Sequence, residues 1–253
     1  MTGEDLINSL RYDILDDVAE PYLWSTAFLL RCCNLAEAQA CRRAHLIIDG
    51  NTGKDSGTSG TAGTAGGGVA DLCSVTLIPN VWTYTLSRLV IQIRRVKLAT
   101  MANPLTPITR DELDELWSSW ESVSGTAGTA GTAGGDGPVY PEYFISELGN
   151  ELTLVKGPTI NDTASLIVSR LPLMQFTLST SPEVAERHHD GLLYWAAHLA
   201  YMKSDTETSN LNLAAVYEKK FTDRFGPMPD AYSEKMRREL PRRQRMRPRA
   251  FGS

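Results

Sequence analysis

Apolar residues at Leu6, Ile7, Leu10, Ile14 and Val18 recur with helical spacing, and Asp13, Asp16, Asp17 and Glu20 occupy the other faces. This pattern predicts a first helix ended by Pro21. A second helix is predicted with Ser25 as N-cap, carrying Leu29, Cys33, Ala36 and Ala40 inward toward Leu46-Ile47-Ile48. The period then changes from helical to two. Cys73–Ile78, Val81–Leu86 and Val90–Leu98 alternate and are rich in β-branched and aromatic residues, as strands require. Thr109 and Glu112 form a capping box that opens a short helix through Leu113 and Leu116. Strands resume at Tyr143–Ile145, Glu151–Val155 and Ala164–Leu171.

The last patterned stretch predicts an αα-hairpin over Ser181–Gly226. Ser181-Pro182-Glu183 supplies an N-cap, a proline for the first helical position and an acid for the first turn. Leu192, Trp195 and Leu199 would face the core from the first helix, and Tyr217, Phe221 and Phe225 from the second. Polar residues 203–209 separate the helices, and Gly226-Pro227 stops the second.

The fold class expected is therefore α+β. A helical bundle of two N-terminal and two C-terminal helices (1–49 and 181–226) receives an inserted β-sandwich or barrel-like block of about six strands (69–180). Two Gly/Thr/Ala-rich loops, 50–68 and 122–137, cannot bury apolar area and are expected on the surface, where glycine permits close approach of a neighbouring chain. A basic, extended arm (227–253) closes the chain.

Charge sharpens this picture. The chain carries −5 overall. From Lys235 onward, however, Lys235, Arg237, Arg238, Arg242, Arg243, Arg245, Arg247 and Arg249 face a single acid, Glu239, so this tail carries +7 and the remainder −12. Pro241 and Pro248 keep such an arm extended or broken. An arm of this charge suits an acidic groove or phosphate. No apolar run is long enough for a membrane span, and the acidic start Met1–Asp5 is unlike a signal peptide, so a soluble chain made in the cytosol is expected.

Candidate chemistry is sparse. Cys32, Cys33, Cys41 and Cys73 lack metal-site spacing and read as small core residues. Glu186 and His189 make one E-x-x-H step, half of a di-iron carboxylate motif whose second copy is missing. Gly50–Asp55 fails the phosphate-loop pattern at Ile48 and Asp55. No catalytic, cofactor or metal residue is therefore assigned.

Order and spacing along the chain carry more. His188-His189-Asp190, Leu193-Tyr194-Trp195-Ala196, Ala200–Thr208, Ala214–Glu218 and Phe225-Gly226-Pro227 resemble the closing segment of the head-to-tail adaptor (connector) proteins of tailed bacteriophages. Leu23–Asp49 resembles the second helix of that family, though Thr26-Ala27-Phe28 replaces its acidic first turn. Thr106–Asp114 with Trp117 and Trp120, and Val168–Pro172, extend the resemblance over most of residues 6–230. It implies a non-enzymatic virion protein in the head-tail neck, assembled in the host cytoplasm. It further implies a dodecameric ring around a DNA channel, whose partners are the portal and tail (nozzle or tail-tube) proteins, with the C-terminal arm reaching the portal. A nucleic-acid-binding protein using the basic tail is the alternative, followed by a helical-bundle metalloenzyme using Glu186 and His189.

Overall fold

Thr2 and Ser25 each accept a backbone N–H three residues on, and these caps start the first two helices, α1 (Gly3–Leu10) and α2 (Thr26–Ala44). The computed structural model describes residues 1–50, 72–79, 81–117, 141–146, 150–155, 158, 160–203 and 209–230. After α2 come strands β1 (Ile47–Gly50), β2 (Ser74–Leu77), β3 (Thr83–Thr85), β4 (Val90–Leu98) and β5 (Thr106–Pro107). Helix α3 (Arg110–Leu116) then precedes β6 (Tyr143–Ile145), β7 (Glu151–Val155) and β8 (Asp162–Arg170). Helices α4 (His189–Tyr201) and α5 (Leu211–Phe225) end the described elements. The chain is mixed α+β, with five α-helices and two sheets among the described residues. No described helix is long and apolar enough to cross a membrane.

These residues divide into two compact units, one of Met1–Asp49 with Ser169–Pro229 and the other made mainly of 72–168. In the first, α1, α2, α4 and α5 pack on one another, α4 touching the other three. Leu6, Ile7 and Leu10 of α1, Leu29, Cys32 and Cys33 of α2 and Leu193, Ala196, Ala197 and Ala200 of α4 share one buried cluster. Small residues on α4 let the neighbouring helices approach closely. The cysteines are free and buried, and burial raises the thiol pKa of Cys32 to about 11, which suits packing rather than reactivity.

The first helix ends earlier than its apolar spacing predicts. Arg11 is buried and its Nη1 donates to Asp17 at 2.6 Å, while its Nη2 donates to the Trp24 carbonyl at 2.7 Å. A pair six residues apart does not meet on a regular α-helix. The backbone therefore widens into a π-helical turn at Arg11–Leu15 and leaves through Asp16 in the left-handed region, φ 52°. His45, φ 50°, ends α2 in the same way, and Ile47 and Ile48 pass into β1 instead of prolonging the helix.

The start of the hairpin also differs from expectation. Ser181 caps no helix. A 3₁₀ turn at Glu186–His188 intervenes, and α4 begins at His189. The Glu183 carboxylate is drawn to Arg170, and the N–H groups of Glu183 and Val184 donate to Glu37 at 2.6 and 3.1 Å. The segment is thus committed to tertiary partners before a helix can form. Asn210 caps α5, and Gly226, φ 90°, terminates it where a side chain would be strained.

In the second unit, β8 pairs with β2 and β4, and a separate sheet runs β3-β7-β6-β5. β7 is antiparallel to both β3 and β6, setting Tyr84 opposite Leu152 and Phe144 opposite Leu154, all buried. Among the described residues neither sheet closes into a barrel. In the β3-β7-β6-β5 sheet, strands of two to five residues are too short for closure, and Pro107 on the edge strand β5 has no N–H to extend the ladder. Among the described residues eight strands are present instead of about six, the additions being β1 and the two-residue β5. The Thr109/Glu112 capping box starts α3, whose Leu113 packs with Ile108, Ile145 and Val155.

Between α4 and α5, Leu192, Phe221 and Phe225 are buried, while Trp195, Leu199 and Tyr217 are half-buried. Truncating Phe221 to Ala should cost about 3–5 kcal/mol, and Trp195→Ala less, because only the former is wholly removed from water. Urea unfolding of the two variants checks this ordering. Equal midpoints with the parent chain would contradict it.

Candidate functional site

Two buried features hold the helical unit. The first is the seam between α4 and α5. On α4, positions 191, 194, 195 and 198 fall on one helical stripe, and each meets α5. A side chain on Gly191 would collide with Phe225, the Tyr194 and Tyr217 rings stack at 6.4 Å, Trp195 lies 5.1 Å from Phe221, and His198 Nδ1 bonds the Ala214 carbonyl at 2.9 Å. Arg43 of α2 closes the seam. Its guanidinium sits 4.8 and 4.9 Å from the Trp195 and Phe221 ring centres, and Nη1 donates to Thr222 Oγ1 and the Gly226 carbonyl. Burial lowers the Arg43 pKa, with Glu218 acting in the opposite direction. The cation–π contacts replace part of its lost hydration.

The second feature is Arg170, the last residue of β8, which has no solvent exposure. Its Nε donates to Asp49 of β1 at 2.5 Å, Nη1 donates to Glu183 at 3.0 Å and to the Leu171 carbonyl at 2.9 Å, and Nη2 also donates to Glu183. Leu173 N–H completes the Glu183 carboxylate at 2.9 Å. Burial alone would lower the Arg170 pKa, but the hydrogen bonds that Arg170 donates to Glu183 and Asp49 outweigh it and raise it. Burial likewise pulls the Glu183 carboxyl up, yet Arg170 and Leu173 leave it below its ordinary value.

Glu37 of α2 stands beside this cluster, 1 % exposed. Burial pushes its pKa up to about 7, against the opposing pull of the Val184 and Glu183 N–H groups. A third carboxylate next to one guanidinium is thus half-protonated near neutrality.

The residues singled out from sequence chemistry lie apart from both features. Glu186 is exposed and pairs with the Met1 ammonium at 3.1 Å, whereas His189 is buried with Nε2 against the Val184 carbonyl at 2.9 Å. The E-x-x-H step therefore serves two different partners. Among the described residues, no three His, Cys, Asp or Glu side chains are placed to hold a metal ion. Lys235, Arg237, Arg238, Arg242, Arg243, Arg245, Arg247 and Arg249, the two Gly/Thr/Ala loops and Asn51–Asp55 lie outside the described residues. Sequence reasoning missed Arg170, Asp49 and Glu37. The one available signal was an arginine near the end of the Ala164–Leu171 strand, with acids at 49 and 183.

Two outcomes follow for stability. Arg170→Met strands two acids in the interior and should cost about 3–5 kcal/mol in denaturant unfolding. Glu37 gives a pH signature. Its native pKa lies above the ordinary 4.5, so between these values the native chain keeps a proton that the unfolded chain releases. Stability should fall as pH rises from about 4.5 to about 7 and stay low above that window. Glu37→Gln, which can still accept both N–H bonds, should flatten that slope. Glu183, shifted the other way, adds stability above 4.5 that disappears as pH falls through its lower native pKa, outside this window. A parent chain whose stability rises across pH 4.5–7 as fast as the variant's would contradict the assignment.

No curated protein matches the chain. A family model described as SU10 adaptor protein matches residues 1–249, nearly its full length. The resemblance read from residue order and spacing is thereby shown: the chain belongs to the SU10 adaptor protein family, a phage head-to-tail adaptor family of structural virion proteins.

Proposed function

We propose that the protein is a head-to-tail adaptor that forms a ring beneath the portal, joins the DNA-filled head to the tail and leaves a central channel for DNA. The observation that carries this reading is the family match over residues 1–249. Two physical features support it. The described side chains build ion pairs and aromatic seams that fix a scaffold. The charge split also gives a +7 arm to a −12 body.

In this reading a dodecamer forms the ring, tail or nozzle proteins dock on one side, and the Lys235–Arg249 arm reaches the portal on the other. Arginine suits the task because its planar fork pairs bidentately with carboxylates and with backbone oxygens. Exposed pairs between the arm and its own acidic body would be worth only about 0–1 kcal/mol each and are screened by salt. An acidic groove that also desolvates the arginines holds such an arm more firmly. Pro241 and Pro248 reduce the entropy lost on extension.

Deleting residues 235–253 should leave the thermal midpoint unchanged while abolishing attachment to portal-containing heads. Reversing charge at Arg242, Arg243 and Arg245 should do the same. Attachment that survives both changes would move the docking surface onto the folded body. Salt-dependent duplex binding by the free chain that is lost with the arm, while head attachment persists, would favour the nucleic-acid reading instead.

A further inference from the structure

Between Asp71 and Asp111 the chain carries no acid, yet Arg88, Arg94, Arg95, Lys97 and Arg110 fall there, giving +5 over residues 72–110. Residues 1–71 and 111–234 together carry −17, with 12 basic residues against 29 acidic ones. An acidic chain thus gathers single-sign positive charge in one part of its β unit.

Four of these cations lie on or beside β4. Arg88 is exposed in the turn before the strand, which Ser87 fixes by accepting the Leu89 N–H on its hydroxyl at 3.3 Å and the Val90 N–H on its carbonyl at 3.0 Å. Arg94 and Arg95 are both exposed between buried Ile93 and Val96, so the strand's alternation breaks at this pair. It resumes with half-buried Lys97, which shares a side with Arg95 about 7 Å along the strand. None of the four side chains enters an ion pair among the described residues. Asp162, the one acid on β2, β4 and β8, is buried and already accepts from the Thr100 hydroxyl and the Thr163 N–H. Charges that guard a strand against aggregation can be of either sign, so that need does not explain four cations without an acid.

The rest of this surface says what fits it. Among the described residues no large apolar side chain is exposed between Ile78 and Leu116. A protein partner binds through a desolvated apolar or aromatic centre, whereas phosphates need only spaced cations. Trp82 is half-buried and Tyr84 buried, so no exposed ring offers the stacking platform that single strands use. We propose that Arg88, Arg94, Arg95 and Lys97 form a phosphate-binding surface that engages duplex DNA through its backbone. The surface belongs to the β unit of a single chain and does not rest on the ring reading.

Anisotropy of a short labelled duplex, titrated at several salt concentrations, tests this. The full-length parent is compared with an Arg94→Gln, Arg95→Gln, Lys97→Gln variant and with an Arg242→Gln, Arg243→Gln, Arg245→Gln arm variant, alone and combined. Each lost phosphate contact lowers the slope of log K against log salt by about 0.9, so the strand variant should lose roughly 2–3 in slope with either arm. Acetylation of the parent read by mass spectrometry gives a second readout that needs no variant. Duplex should protect Lys97 and leave exposed Lys219 of α5 reactive. A slope that the strand substitutions leave unchanged, with Lys97 unprotected, would assign all binding to the arm and overturn the proposal. So would a folded parent that binds no duplex at low salt. Poly-L-glutamate that binds as tightly as duplex and protects Lys97 equally would overturn it in favour of an acidic protein partner.

Discussion

A guanidinium with no access to water depends on the acceptors around it, above all on carboxylates that match its charge. Arg170 is in that position, and its partners Asp49 and Glu183 come from chain regions separated by the whole β insertion. Such a cluster adds little net stability over an apolar core, but it penalises every arrangement in which one member is missing. The helical unit is assembled from two ends of the chain, Met1–Asp49 and Ser169–Pro229, so the chain must leave and return at a fixed point. Arg170 marks the return. Glu183 and the N–H groups bound by Glu37 then set the path of the segment that leads into α4.

Local signals in the sequence were sufficient wherever local chemistry decides structure. Ser25, Thr109 and Gly226 act where the pattern puts them, and Val90–Leu98 is a strand, although its burial does not alternate strictly. Errors arose where a distant partner overrides a local preference. Ser181-Pro182-Glu183 carries a strong helix-start signature, yet Arg170 and Glu37 claim the Glu183 side chain and backbone. The apolar spacing through Val18 reads as continuous helix, yet the buried pair Arg11–Asp17 turns the chain at Asp16. A short strand such as Thr106–Pro107 exists only because β6 lies parallel beside it, which no window of the sequence reveals.

The family was legible for a related reason. Its resemblance lies in the order of helix-end signals and aromatic positions over long stretches, and the family match spans residues 1–249. The seam between α4 and α5 explains why those positions matter: Gly191, Trp195, Tyr217, Phe221 and Phe225 interlock along it, and Arg43 closes it from α2. What local pattern could not convey is which faces remain open. That follows from how α1, α2 and α5 pack about α4, which no single window of sequence records.

Electron microscopy of the purified chain mixed with its portal tests the adaptor reading most directly. The account predicts a ring of copies stacked coaxially on the portal with an open channel continuous with the portal channel. A portal that remains bare beside monomers, or a chain bound off-axis in single copies, would contradict it.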